Sequence, residues 1–286
     1  MNKIVNRFWR ALSLTGWVMA SLGLAGVAGA SEEASPSLHY APMGERLLKV
    51  QANQLFESTD DGEAWTMIPL PEEVSAGRLA AVAATAEPAL YIAGPSIGVQ
   101  RSTDHGETWH ALNDDLPDQD VIAFTIHRRQ PDTLYAMIAG DGLYQSEDAG
   151  ATWKKMDSGP AQPVRRLLHS DMEGSMQTGW LYAVSDDAVR LSMDCFCGWR
   201  PTGELDAGRV HDVAYDLDAP ERVYVTTEQG LWRSDNGGQE WQRVNGDGPA
   251  LVVLVPAPEG TLYGLDREGE LMLSEDQGQT WTLPDA

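Results

Sequence analysis

The stretch Ser146 to Trp153, SEDAGATW, decides the fold. Taken alone, its hydroxyl, carboxylate, glycine and tryptophan read equally as a turn, an acidic metal loop or a piece of an active site. Its siblings remove the ambiguity. Ser58 to Trp65 reads STDDGEAW, Ser102 to Trp109 reads STDHGETW, and Ser274 to Trp281 reads SEDQGQTW. Ser234 to Trp241 reads SDNGGQEW, with Asn236 in the aspartate place. A decayed copy, SMDCFCGW, keeps Ser192, Asp194 and Trp199 but has Phe196 where the others have glycine. Successive starting serines are 44, 44, 46, 42 and 40 residues apart, so one supersecondary unit recurs six times.

The residues between boxes repeat as well. Each box from the second onward is preceded by a β-rich pair, such as ALYIAG with GVQRS or TLYAMIAG with GLYQS, and before that by a further apolar run such as VIAFTIH or RVHDVAY. A short strand follows each tryptophan, as in WHAL and WKKM. Four short strands per period, separated by Gly, Pro and Asp turns, predict an all-β, six-bladed β-propeller over residues 37–286, with four antiparallel strands per blade. The first blade fits more loosely, as SLHYAP, RLLKVQ, QLFES and WTMIP. Seven blades are the alternative, although no sequence is left over for the seventh. The chain begins on an inner strand and ends on an outer one, so no strand has to cross over to close the ring.

The pattern S-x-D-x-G-x-x-W resembles the Asp-box, or bacterial neuraminidase repeat, found in sialidases, sortilin-type receptors, some xyloglucan hydrolases and the photosystem II assembly/stability factor family. The resemblance covers residues 37–286. It implies the propeller fold and leaves function open, because activity lives in sites grafted onto a fold. The residue types give the box a structural role. Ser58, Ser102, Ser146, Ser192, Ser234 and Ser274, with Asp60, Asp104, Asp148, Asp194, Asn236 and Asp276, can bind turn amides. Gly62, Gly106, Gly150, Gly238 and Gly278 permit positive φ. Trp65, Trp109, Trp153, Trp199, Trp241 and Trp281 carry large apolar surfaces to bury between blades. Asn236 suits this role because its side-chain oxygen still accepts hydrogen bonds, whereas catalysis has no use for similar carboxylates all around a ring.

Residues 1–30 read as a secretory signal peptide. Lys3, Arg7 and Arg10 precede an apolar run that ends in Ala28-Gly29-Ala30. An uncleaved anchor is the alternative, since the run is nearly long enough to span a bilayer. Residues 31–36 form a short linker. The expected location is periplasmic or secreted, with no membrane span after cleavage and a monomeric state. The net charge of −23 argues against nucleic acid or anionic lipid as partners.

The boxes and the links between first and second strands occupy one face of such a ring. The links between blades occupy the other, which is where ligand sites on propellers usually sit. Arg78, Arg165, Arg166 and Arg209 lie at or near starts of inner strands and can converge at the channel mouth. An arginine fork there suits a peptide carboxylate or an acidic glycan. Sialidases use an arginine triad with a Tyr–Glu pair and an Asp, but no Arg-Ile-Pro motif occurs here, Tyr40 and Tyr215 are the inner-strand tyrosines, and Glu72 and Glu73 have no assigned partner. The photosystem assembly factors resemble the chain in having an arginine-bearing surface on a non-catalytic propeller. Asp114, Asp115, Asp118 and Asp120 crowd one link, without the ligand spacing of a known calcium loop. No carboxylate pair is marked for glycoside hydrolysis, and no serine or cysteine nucleophile sits in a recognisable motif.

Blade four departs from the others. Its first-to-second-strand link, HSDMEGSMQTGW, and its box supply His169, Met172, Met176, Met193, Cys195 and Cys197, soft ligands of the kind copper(I) prefers. The competing reading is a drifted blade with a paired Cys-Phe-Cys, although a bridge across one residue of an extended strand is strained. Together these features point to an exported, non-catalytic binding or assembly module that recognises a protein or envelope component. A sialidase-like or glucan-acting glycoside hydrolase is the second reading.

Overall fold

The computed structural model describes residues 36–41, 45–51, 54–75, 79–85, 89–175, 179–244 and 248–284. The signal-peptide and linker assignments, and the positions of Arg78 and Met176, lie outside them.

Six antiparallel sheets, each built from consecutive strands, make a six-bladed β-propeller. Blade one comprises Ser37–Ala41, Arg46–Gln51, Gln54–Ser58 and Thr66–Ile68, paired in sequence order. The inner strands of blades two to six are Ala81–Ala84, Val121–Ile126, Arg166–Ser170, Val210–Tyr215 and Val253–Pro256. In blade six the fourth strand is reduced to one bridge between Leu273 and Thr282. Glu72 and Glu73 open the single helical turn Glu72–Ser75 in the link after blade one.

Burial follows position in the blade. The second strands Leu90–Gly94, Leu134–Ile138, Trp180–Val184 and Val223–Thr227 are buried at every residue. They are covered on both faces by neighbouring blades, so they read as continuous apolar runs instead of alternating ones. Outer strands such as His110–Ala111 and Gln242–Arg243 are exposed throughout.

The second strands of blades two to six each place a tyrosine in the core: Tyr91, Tyr135, Tyr182, Tyr224 and Tyr263 are all at most 4% exposed. Two of them reach the same position of the next blade's box. Tyr182 Oη donates to the Gly237 carbonyl at 3.2 Å, and Tyr263 Oη donates to Asp61 Oδ1 at 2.6 Å. The second of these contacts joins blade six to blade one. It is reinforced by Gln51 Nε2 donating to the Glu268 carbonyl at 2.8 Å and by a mixed cluster of Leu38, Leu47, Val253 and Leu265. The ring therefore closes with a tyrosine reaching the same box position as at the seam between blades four and five, on a carboxylate instead of a backbone carbonyl.

Candidate functional site

Five boxes share one hydrogen-bond pattern. In the third, Ser146 Oγ donates to Asp148 Oδ1 at 2.8 Å and accepts the Gly150 N–H at 2.8 Å. Asp148 accepts the Thr152 N–H at 2.8 Å and its hydroxyl at 2.6 Å. Asn236 holds its turn in the same way, accepting from Ser234 Oγ at 2.8 Å and from the Glu240 N–H at 2.9 Å. These donors hold the box carboxylates below the usual range. Thr108 with Ser102 lowers Asp104 to about 2, and Thr152 and Thr280 lower Asp148 and Asp276. Gly150 has φ 93°, and a Cβ there would come 2.6 Å from Leu112 of blade two. Trp109, Trp153 and Trp199 each donate Nε1 to the preceding blade, at Pro69 O, Leu112 O and Asp157 Oδ1, 2.7 to 3.0 Å away. The carboxylates are thus spent on their own turns and these three indoles on the seams between blades, whereas Trp281 donates to Gly278 of its own box.

The decayed box is organised differently. Ser192 is 1% exposed and its hydroxyl has no hydrogen-bond partner, while Asp194 turns outward to Arg200 at 3.3 Å. Phe196 adopts φ 53° and its side chain is fully buried, edge-on to Tyr135 with centroids 5.4 Å apart and to His169 at 6.4 Å. Cys195 and Cys197 are joined as a disulfide with Cα atoms 5.1 Å apart. The expectation against such a bridge assumed strand geometry. The left-handed residue between the two cysteines shortens their Cα separation from the roughly 6.6 Å of an extended strand to 5.1 Å, within reach of a bridge.

Behind Phe196 lies a cluster whose members sequence reading had not joined. His127 follows the inner strand of blade three, His169 lies in that of blade four, and Asp171 follows it. All three are buried. The imidazoles stack at 4.0 Å between centroids, and His169 also stacks on Tyr135 at 5.4 Å. Arg129 and Gln130 donate backbone N–H groups to His127 Nδ1, each at 3.2 Å. Asp171 Oδ2 accepts from Tyr215 Oη at 3.3 Å and faces Arg129 Nε at 3.5 Å and Arg128 Nη1 at 3.7 Å. A cavity of about 290 Å³ opens beside them, lined by His127, Arg129, Gln130, Asp171, Met172 and Glu173 among others. It lies at the ends of inner strands, on the same face as the boxes. Of the soft residues singled out in blade four, Met172 lines this cavity, His169 stacks on His127 beside it, and Met193 packs against the cluster shared by blades four and five. The missed partners were Asp171 and His127; His127 comes from a regular blade, and a count of histidines at equivalent strand ends would have flagged it.

On the opposite face Arg165 and Arg209 converge. Arg165 Nε lies 2.7 Å and Arg209 Nη2 3.0 Å from Asp186 Oδ1. Arg165 also donates Nη2 to the carbonyls of Ser185, at 3.1 Å, and Val210. Burial lowers the pKa of His211 beside them, and the positive charges of Arg267, Arg165 and Arg209 lower it further. Arg267, which sequence reading missed, is exposed in a hairpin of blade six and acts on His211 from there. Arg166 instead points inward, with Nε 3.1 Å from Asp212 Oδ1. Asp212 also accepts the N–H groups of Val213 at 2.8 Å and Leu254 at 3.1 Å. Burial raises its pKa, opposed by Arg166, and the pair ties blades four, five and six together. Asp114, Asp115 and Asp118 are exposed in their link, and Asp118 Oδ1 accepts the Asp120 N–H at 3.0 Å.

These features define the class: a six-bladed propeller held by Asp-boxes. Residues 98–204 match the family model for sortilin, neurotensin receptor 3. A xyloglucanase from a Paenibacillus species is 24% identical over 242 residues, 66% of this chain. The chain spans only 23% of that relative's length. Among solved structures, YCF48 from Cyanidioschyzon merolae superposes with a TM-score of 0.63 at 16% identity, over 88% of this chain and 85% of its own. YCF48 bound to D1 peptide gives 0.57 at 19%, over 85% and 77%. The fold, the boxes and these matches together fit the Asp-box propeller superfamily.

Proposed function

We propose that the chain is an exported, non-catalytic binding or assembly module, periplasmic or secreted and monomeric. Its partner is a protein or envelope component that presents a carboxylate, as a peptide terminus or an acidic glycan does. The observation that carries this reading is the convergence of Arg165 and Arg209 on Asp186, with His211 beside them under the added charge of Arg267, on a chain whose net charge is −23. Guanidinium forks favour carboxylates in a fixed geometry, and a local positive field on an acidic body excludes most other surfaces as competitors. That a YCF48 propeller was solved with a D1 peptide supports the peptide form of this reading. The xyloglucanase match supports the second one, glycoside hydrolysis, but the chain spans less than a quarter of that protein.

The test is fluorescence-polarisation titration of a library of labelled peptides with free acidic C-termini, against the unsubstituted chain and an Arg209→Glu/Arg267→Glu variant. Binding that weakens with salt and is lost on charge reversal is expected. Binding that is unchanged by the reversal, or turnover of xyloglucan or a fluorogenic sialoside by the unsubstituted chain, overturns the proposal.

A further inference from the structure

We propose that the Cys195–Cys197 bridge is a redox-active disulfide that takes electrons from a protein dithiol, with Cys197 as the sulfur attacked. The proposal is independent of the partner reading above, which concerns the other face.

Three observations carry it. First, the bridge is out of place as a structural brace. A disulfide stabilises a fold mainly by closing a loop, and the effect grows with the length of that loop. This one spans a single residue and lies wholly within the turn between the strands Val189–Ser192 and Arg200–Pro201, so it joins neither two strands nor two blades. The other five boxes hold the same turn with serine and an aspartate or asparagine, and the chain has no further cysteine.

Second, the bridge is reachable from one end. Cys197 is exposed and Cys195 is half-buried. Disulfide exchange starts when a thiolate reaches one sulfur of the pair, and access decides which sulfur that is. Exposure therefore assigns the attack to Cys197 and the leaving thiolate to Cys195.

Third, the turn is anchored by groups other than the sulfurs. Phe196 is 0% exposed and stands edge-on to Tyr135 and His169. On one side of the turn Ser192 ends a buried strand, and on the other Trp199 Nε1 donates to Asp157 Oδ1 of blade three at 2.9 Å. These anchors keep the two Cα atoms at a separation of 5.1 Å, within the range a bridge needs, so the reduced pair is pre-organised to close again.

The step balances as a dithiol exchanged for a disulfide. A thiolate of the substrate attacks Cys197 Sγ, the Sγ–Sγ bond breaks, and Cys195 leaves as a thiolate that takes up a proton. The second substrate thiol loses its proton and attacks the substrate sulfur of the mixed disulfide, releasing Cys197. Two electrons and two protons pass from substrate to chain. The net charge of −23 disfavours small anionic thiols, which leaves a protein dithiol as the class that fits.

The experiment uses the full chain and a synthetic peptide carrying two cysteines. The reduced peptide is mixed with the oxidised chain without air, quenched with acid, alkylated, and both are weighed by mass spectrometry. The expected result is up to one peptide disulfide per chain, loss of that oxidation in a Cys195→Ser/Cys197→Ser variant, and a reduced chain that keeps its circular dichroism spectrum. With the oxidised peptide, Cys195→Ser should collect a mixed disulfide through Cys197, and Cys197→Ser should collect less. A bridge that stays closed, a peptide oxidised equally by the double variant, a chain that unfolds on reduction, or mixed disulfides formed equally at the two positions overturns the proposal. If the double variant does not fold, the reduced chain with both sulfurs blocked by iodoacetamide takes its place as the control.

Discussion

Replacing Ser146 and Ser192 by alanine, one at a time, tests the box as a clamp within a single molecule. Both serines are 1% exposed and open the same eight-residue pattern. Ser146 Oγ accepts the N–H of the buried Gly150 at 2.8 Å, so Ser146→Ala strands a buried donor. Leaving such a group unsatisfied costs about 1–3 kcal/mol. Ser192 Oγ has no partner, so its removal strands nothing, and Ser192→Ala should lie within about 0.5 kcal/mol of the unsubstituted chain or on its stable side. In a thermal melt followed by circular dichroism, each kcal/mol moves the midpoint of a domain this size by about 2–4 °C. Ser146→Ala should therefore melt several degrees lower while Ser192→Ala does not move. Equal shifts for the two variants would refute the claim that the clamp is intact in five boxes and dissolved in the sixth.

Other outcomes follow from the same geometry. Burial, with Arg166 and Arg46 nearby, lowers the pKa of His39 from 6.5 to about 4. The unfolded chain therefore takes up a proton that the fold refuses. Stability is complete above about 6.5 and falls as pH drops towards about 4, by about 3 kcal/mol in all; urea midpoints across that window should slope, and His39→Gln should flatten the slope. Phe196→Gly restores the residue found in the other boxes yet should destabilise by about 1–4 kcal/mol. The cost of emptying an aromatic site, about 3–5 kcal/mol, exceeds the relief of a left-handed φ, about 1–2 kcal/mol; a melt at or above the unsubstituted midpoint contradicts this. Tyr263→Phe at the ring closure and Tyr182→Phe at an internal seam should cost the same within about 1 kcal/mol, because their hydroxyls reach the same box position. A much larger loss for Tyr263→Phe would mean that the closure is a special joint.

The sequence by itself determined the repeat, and with it the architecture. Residue types that recur at a near-constant period report local needs: a turn that requires a hydroxyl, a carboxylate and a glycine, and a strand covered on both faces. Local needs are written beside the residues that meet them, so SEDAGATW and its siblings were enough to place six blades. Glu72–Ser75 was not legible, because one helical turn in a link leaves no periodic trace. The sites depended on contacts between blades. Arg165, Arg166 and Arg209 look alike as residues at strand starts. Only the tertiary structure sends Arg166 inward to Asp212 and leaves Arg165 and Arg209 on Asp186. His127 and His169 are 42 residues apart, one repeat, and nothing between them marks the pair. They meet because successive inner strands end side by side around the axis, which stacks residues of equal phase in neighbouring blades. Asp171 joins them for the same reason, and Phe196 closes on them because one turn gave up its glycine. A repeat fixes what each unit does for itself, whereas a site made from the differences between units exists only once the ring has closed.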